Sequence, residues 1–217
     1  MGRRLQGLYA VTLDTADTGA LVAGVRSALR GGAALVQYRN KILDAPARLL
    51  QARSLLDACR QAGVPMIVND DVELAARIEA DGVHLGRTDG PIAAARLRLG
   101  GAKIIGVSCY NEFELARSAA RNGADYVAFG SFFASATKPN AVPANLELLR
   151  EAKRTLDVPV VAIGGITQDN AAPLIAAGAD MLAVVTALFG AADICVAAQQ
   201  FSQLFSSHHA RQKQSAV

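Results

Sequence analysis

Gln37, Arg39 and Lys41 alternate just past an apolar run, so a backbone that stays extended aims all three side chains to one side. An anion fits among them. Arg presents a planar fork of donors and Lys a compact charge, which suits a diphosphate that must be held while negative charge builds on it. The plainer reading of this triplet is a solvated strand end. Acids come from two other places, Asn69-Asp70-Asp71 and Gly86-Arg87-Thr88-Asp89. Asp70 and Asp89, on neighbouring strand ends, could share one hard cation, because Mg2+ typically takes one or two protein carboxylates and fills its other positions with water and phosphate oxygens. Asp71 suits the cap of a helix beginning at Val72, and capping is the plain alternative for the whole acidic group.

Later segments add donors rather than nucleophiles. Ser108 precedes Cys109, but no His with a carboxylate partner lies near to activate either, so donation of a hydrogen bond to a phosphate oxygen fits Ser108 better. The stretch from Gly130 to Pro139 carries small residues and hydroxyls followed by Lys138, a donor-rich segment suited to closing over an anion, without the glycine spacing of a Walker loop. Ile163-Gly164-Gly165-Ile166-Thr167 and Val185-Thr186-Ala187 follow the last two apolar runs. In a β/α barrel those loops commonly bind phosphate through backbone N–H groups, with a structural turn as the alternative. His84, between Val83 and Leu85, reads as a hydrogen-bonded structural histidine, and His208 and His209 lie near the C-terminus, so imidazole acid–base catalysis is not the expected plan.

These clusters need elements that gather them. Strand-like runs occur at Leu8 to Leu13, Ala33 to Tyr38, Met66 to Val68, Val83 to Leu85, Ile104 to Val107, Tyr126 to Phe129, Val160 to Ile163 and Met181 to Val185. Most are apolar on both faces, as parallel strands covered by helices outside and packed layers inside must be. Helical stripes lie between them, clearest in Ile194, Ala197, Ala198, Phe201, Leu204 and Phe205. Asn122-Gly123-Ala124-Asp125 and Ala177-Gly178-Ala179-Asp180 form a weak repeat before two of the runs, with Gly31-Gly32-Ala33 and Ala80-Asp81-Gly82 as looser copies. Each marks a helix exit. Eight β-then-α units without a composition break predict a single (β/α)8 TIM barrel of the α/β class over residues 1–205, with a polar tail at 206–217; an open doubly wound sheet is the runner-up. In a barrel, all the chemistry-bearing clusters converge on one rim.

Composition narrows the setting. A net charge of +3, from 22 basic and 19 acidic residues interspersed along the chain, gives no reason to expect a nucleic-acid partner. Three cysteines without metal-type spacing favour a reduced, cytoplasmic protein, and acids interrupt the apolar N-terminal run before it reaches the length of an export signal. No stretch reads as a membrane span.

Taken in order, Gln37-Tyr38-Arg39-Asn40-Lys41, Asn69-Asp70-Asp71, Gly86-Arg87-Thr88-Asp89, Gly106-Val107-Ser108, Thr137-Lys138 and Ile163-Gly164-Gly165-Ile166 resemble the motif set of the thiamine phosphate synthase family, from about Leu8 to Phe205. The resemblance implies a transferase that joins hydroxymethylpyrimidine diphosphate to hydroxyethylthiazole phosphate and releases diphosphate through a Mg2+-assisted dissociative substitution. It implies that Gln37, Tyr38, Arg39, Asn40, Lys41, Asn69, Ser108 and Lys138 hold the pyrimidine diphosphate. Asp70 and Asp89 would bind Mg2+, and Ser135, Ala136, Thr137, Gly165, Val185 and Thr186 would cradle the thiazole phosphate. Arg39, Lys41 and Lys138 would neutralise the leaving group. Its partners are then two small molecules, with a homo-oligomer left open. Two positions depart from the family pattern: Ser131 stands where Pro is usual, and Ser135 where Thr is usual. The related thiazole tautomerase carries a His at the Ser131 position, which argues against an isomerase. A non-catalytic phosphate sensor would have no need of two acids and three cations around a leaving group.

Overall fold

The computed structural model describes residues 5–134 and 143–215. Its first half alternates β1 (Gly7–Val11), α1 (Thr18–Arg30), β2 (Ala33–Tyr38), α2 (Ala45–Ala62), β3 (Met66–Asn69), α3 (Val72–Ile78), β4 (Gly82–Leu85) and α4 (Ile92–Leu99). The second half continues with β5 (Ile104–Tyr110), α5 (Phe113–Arg121), β6 (Tyr126–Phe129), α6 (Leu146–Thr155), β7 (Val160–Ile163), α7 (Gln168–Ala176) and β8 (Met181–Val184). A short α8 (Thr186–Phe189) and a long α9 (Ile194–Ser215) follow. The strands pair in parallel in chain order, and β8 closes on β1. Closure bears out the TIM barrel and removes the open sheet as an alternative. α9 is helical across positions 206–215, which the sequence reading assigned to a tail.

Strand periodicity sorts the apolar residues into two cores. Tyr9, Val11, Leu35, Ile67, Tyr126, Ala128, Val161, Met181 and Ala183 fill the barrel interior. Their alternate neighbours, such as Leu8, Val36, Met66, Val127, Val160 and Leu182, belong to the larger core between strands and helices. Most strands are thus buried on both faces, as the doubly apolar runs require. Helix starts follow local chemistry: Asp17, Asp44, Asp71 and Asn145 each accept a backbone N–H of the first turn.

The weak repeat has a structural purpose beyond ending helices. Asp81, Asp125 and Asp180 stand just before β4, β6 and β8, and each carboxylate accepts a backbone N–H at the start of the preceding strand. The bonds are Met66 N to Asp81 at 2.8 Å, Ile105 N to Asp125 at 2.7 Å and Val160 N to Asp180 at 3.0 Å. Three strand pairs are therefore stapled at the rim opposite the site. Asp180 is the most enclosed, its side chain 8% exposed and bonded to Lys153 Nζ at 2.6 Å. Asp180→Ala should cost about 2 kcal/mol of stability by leaving Val160 N–H unpaired in the core, read as a lowered unfolding midpoint.

Candidate active site

β2 carries the first cations to the rim. Gln37 turns into the barrel, while Arg39 and Lys41 line a cleft of about 230 Å3 together with Asn40, Arg48, Asn69, Asp70 and Asp71. The intervening residues bond to α2 and to the loop after β1. Tyr38 is buried against α2, its hydroxyl donating to Gln51 Oε1 at 3.1 Å. Asn40 donates to Thr15 O and Gln51 Oε1 and accepts from Ile42 N and Leu43 N, so its amide knits the β2 loop to its neighbours.

Two residues at this rim carried no sequence signal. Asp14, after β1, holds Arg39 Nη1 at 2.7 Å with one oxygen and accepts Lys41 N at 2.8 Å with the other. It therefore fixes both cationic positions at once. Arg48, in the first turn of α2, bonds Asp71 at 3.4 Å, and its Nε is buried without a hydrogen-bond partner. An orphaned donor on a cationic wall is what an incoming anion would satisfy. Asp14→Ala is expected to weaken binding of inorganic pyrophosphate roughly tenfold with the fold intact, by calorimetric titration, because Arg39 then loses its holder.

The acids meet as the sequence suggests. Asp70 follows β3 in a left-handed conformation, φ 64°, with its N–H bonded to His84 O at 2.8 Å and its carboxylate 3.2 Å from Lys41 Nζ. Asp89, beyond β4, accepts Gly86 N–H at 2.7 Å. Burial, and next to it the Asp70 carboxylate, push the Asp89 carboxyl above its ordinary value; the Gly86 N–H and the Lys41 ammonium pull the other way. An Asp70 carboxylate close enough to raise Asp89 leaves the two acids placed for a hard cation, and their all-oxygen donor set suits Mg2+. No cluster of three or more His, Cys, Asp or Glu side chains gathers among the described residues, so softer metals lack a site of that kind there. Asp71 caps α3 through Leu74 N at 2.8 Å, the role its position predicts.

Ser108 lies within β5, because that strand continues past Val107 to Tyr110 and carries an irregularity between Ser108 and Tyr110. Its hydroxyl meets His84 Nε2 at 2.8 Å. Cys109 points into the outer core, where burial pushes its thiol up to about 12, and Cys59 is raised likewise, so neither is a nucleophile. Ser131 donates to Phe133 O at 2.7 Å and accepts Ala144 N through its carbonyl; the Gly130–Ser131 peptide is cis. Gly164 faces it, and a Cβ there would lie 2.0 Å from Ser131 Oγ. Gly165 packs on Phe133 and Ala134, where a Cβ would come within 2.7 Å, and Val185 and Thr186 join β8 to α8. Ser135, Ala136, Thr137 and Lys138 lie outside the described residues.

A β/α barrel with cations after β2, paired acids after β3 and β4, and glycines after β7 defines an enzyme class that handles phosphorylated small molecules at the C-terminal ends of its strands. The chain belongs to the thiamine monophosphate synthase family, whose model matches residues 8–188. It is 57% identical to the thiamine-phosphate synthase of Nitrosospira multiformis over 203 residues, 94% of this chain and 87% of the relative. It is 56% identical to that of Azoarcus sp. over 206 residues, 95% and 100% of the two chains. Among solved structures it is similar to thiamine phosphate pyrophosphorylase from Pyrococcus furiosus, with a TM-score of 0.84, 34% identity and 94% and 97% coverage. No helix among the described residues is long and apolar enough to cross a membrane.

Proposed function

We propose that this chain joins hydroxymethylpyrimidine diphosphate to hydroxyethylthiazole phosphate and releases diphosphate by a dissociative substitution. The observation that carries this reading is the approach of Asp70 and Asp89 beside the Arg39–Lys41 wall. Arg39, oriented by Asp14, and Lys41 hold the diphosphate, with Arg48 as a further cation on the same wall. Their charge offsets what builds on the leaving oxygen, so departure needs no proton donor. Asp70 and Asp89 would hold Mg2+, which when bound neutralises phosphate oxygens. Departure leaves a pyrimidinyl methyl cation that the electron-rich aminopyrimidine delocalises, and the thiazole nitrogen adds to it.

Gly165, Val185 and Thr186 receive the thiazole phosphate, which puts the two substrates at adjoining sectors of one rim. Lys138, in the sequence between β6 and α6, would complete the cation set. Free Cys59, Cys109 and Cys195 support a reducing, cytoplasmic setting.

Diphosphate release, measured with each substrate omitted in turn, tests the reading. Release should require the pyrimidine diphosphate, rise with the thiazole phosphate, and accompany formation of the coupled product. Turnover of a thiazole tautomer alone would instead indicate an isomerase, and saturable binding without release a sensor.

A further inference from the structure

Five polar side chains form one hydrogen-bonded line through the barrel, and the chemistry of its first member sets the direction of every bond after it. Gln37 Nε2 donates to the Tyr9 hydroxyl; Tyr9 and Tyr126 hydroxyls are 2.8 Å apart; Tyr126 Oη lies 2.7 Å from His84 Nδ1; His84 Nε2 lies 2.8 Å from Ser108 Oγ. An amide nitrogen has hydrogens and no lone pair to offer, so Tyr9 accepts there and passes its own hydrogen to Tyr126. Tyr126 in turn donates to Nδ1. That leaves the imidazole hydrogen on Nε2, where Ser108 Oγ accepts it, and the Ser108 hydrogen remains to be given to a ligand.

The line is built into the barrel. Tyr9 and Tyr126 are fully buried, and burial pushes both phenols up, so each stays a donor. His84, Gly106 and Tyr126 are successive partners across β4, β5 and β6. A Cβ on Gly106 would fall 1.9 Å from Tyr126 Cζ, so the bare strand position is what lets the phenol ring cross to His84. The ring stacks on the imidazole at 5.6 Å between centroids.

We infer that Tyr126 and His84 are positioning residues: they hold His84 as its Nε2–H tautomer, so that Ser108 is an acceptor toward the protein and a donor toward the diphosphate substrate. This deepens the proposed function and rests on it for the identity of the ligand, while the tautomer itself can be read without any substrate.

Nitrogen-15 NMR of the whole protein, with the His84 signals assigned by their loss in His84→Gln, reads which ring nitrogen carries hydrogen. The wild type should show Nε2–H, and Tyr126→Phe, which removes one oxygen, should show a mixture of tautomers. In the same variant KM for the pyrimidine diphosphate should rise about tenfold, the scale of one hydrogen bond to a charged group, with KM for the thiazole phosphate unchanged. His84→Gln, whose amide can still donate to Ser108, should keep more activity than His84→Leu. An Nδ1–H tautomer in the wild type would mean the line runs the other way and overturns the inference. So would a tautomer unchanged in Tyr126→Phe, or equal losses on both substrates. Failure of the proposed reaction would instead appear as no diphosphate release from a wild type whose tautomer is as expected.

Discussion

Asp70→Asn is expected to lower kcat/KM for coupling by a factor on the order of 10^2 to 10^3 while leaving the metal-free protein as stable as before, or more so. The substitution keeps the shape of the side chain. Asn tolerates the left-handed backbone that residue 70 adopts at φ 64°, and the bond from its N–H to His84 O does not involve the carboxylate. What disappears is the negative charge beside Asp89. Asp89 has its carboxyl raised by burial and by Asp70, so above that raised value its charge works against the folded state, and below the unfolded value near 3.8 the penalty vanishes. Removing Asp70's charge relieves part of it. The gain in unfolding temperature should therefore appear near neutral pH and fade under strong acid. Losing the Lys41 pair subtracts little, since that lysine is 57% exposed. Activity and stability thus move oppositely, the mark of charges placed for a ligand rather than for folding. Chelating divalent metal should bring the wild type down toward the variant and change the variant little. Full activity in Asp70→Asn under chelation would end the metal-assisted reading.

Much of this arrangement was legible because period-two patterning and strand ends are local properties of a chain. The runs Ala33 to Tyr38, Tyr126 to Phe129 and Val160 to Ile163 became strands with those bounds, and their apolar faces on both sides required helices around a closed sheet. Asp70 and Asp89 could be paired from sequence because adjacent parallel strands deliver their C-terminal ends to one place. The residues that escaped notice act across the barrel. Asp14 reaches Arg39 from beyond β1, 25 positions away, and Tyr9 reaches Tyr126 across 117 positions; nothing in the local sequence around either hints at the partner. Tyr126 looked like one more apolar strand residue, since its ring does lie in the core and only its oxygen belongs to the polar line. His84 read correctly as a hydrogen-bonded histidine, but the identity of its partners needed the register of β4, β5 and β6.

Gly106→Ala should be among the most damaging single-methyl changes in the barrel, costing about 1–3 kcal/mol or somewhat more. The added Cβ would lie 1.9 Å from Cζ, 2.2 Å from the hydroxyl oxygen and 2.3 Å from Cε1 of Tyr126, all far inside contact distance. The ring has nowhere to go. Its edge meets Tyr9 at 86° with centroids 5.9 Å apart, its face lies on His84, and its hydroxyl is bonded on both sides. Strand β5 cannot retreat either, because it is paired with β4 and β6 at the same level. The strain therefore resides in the pair of residues 106 and 126, and a double-mutant cycle can isolate it. In a Tyr126→Ala background, where the ring is gone, Gly106→Ala should cost far less by chemical denaturation than it does in the wild type. Additive losses would place the damage in the β5 backbone instead, and would show that Gly106 serves the strand and not the tyrosine that crosses it.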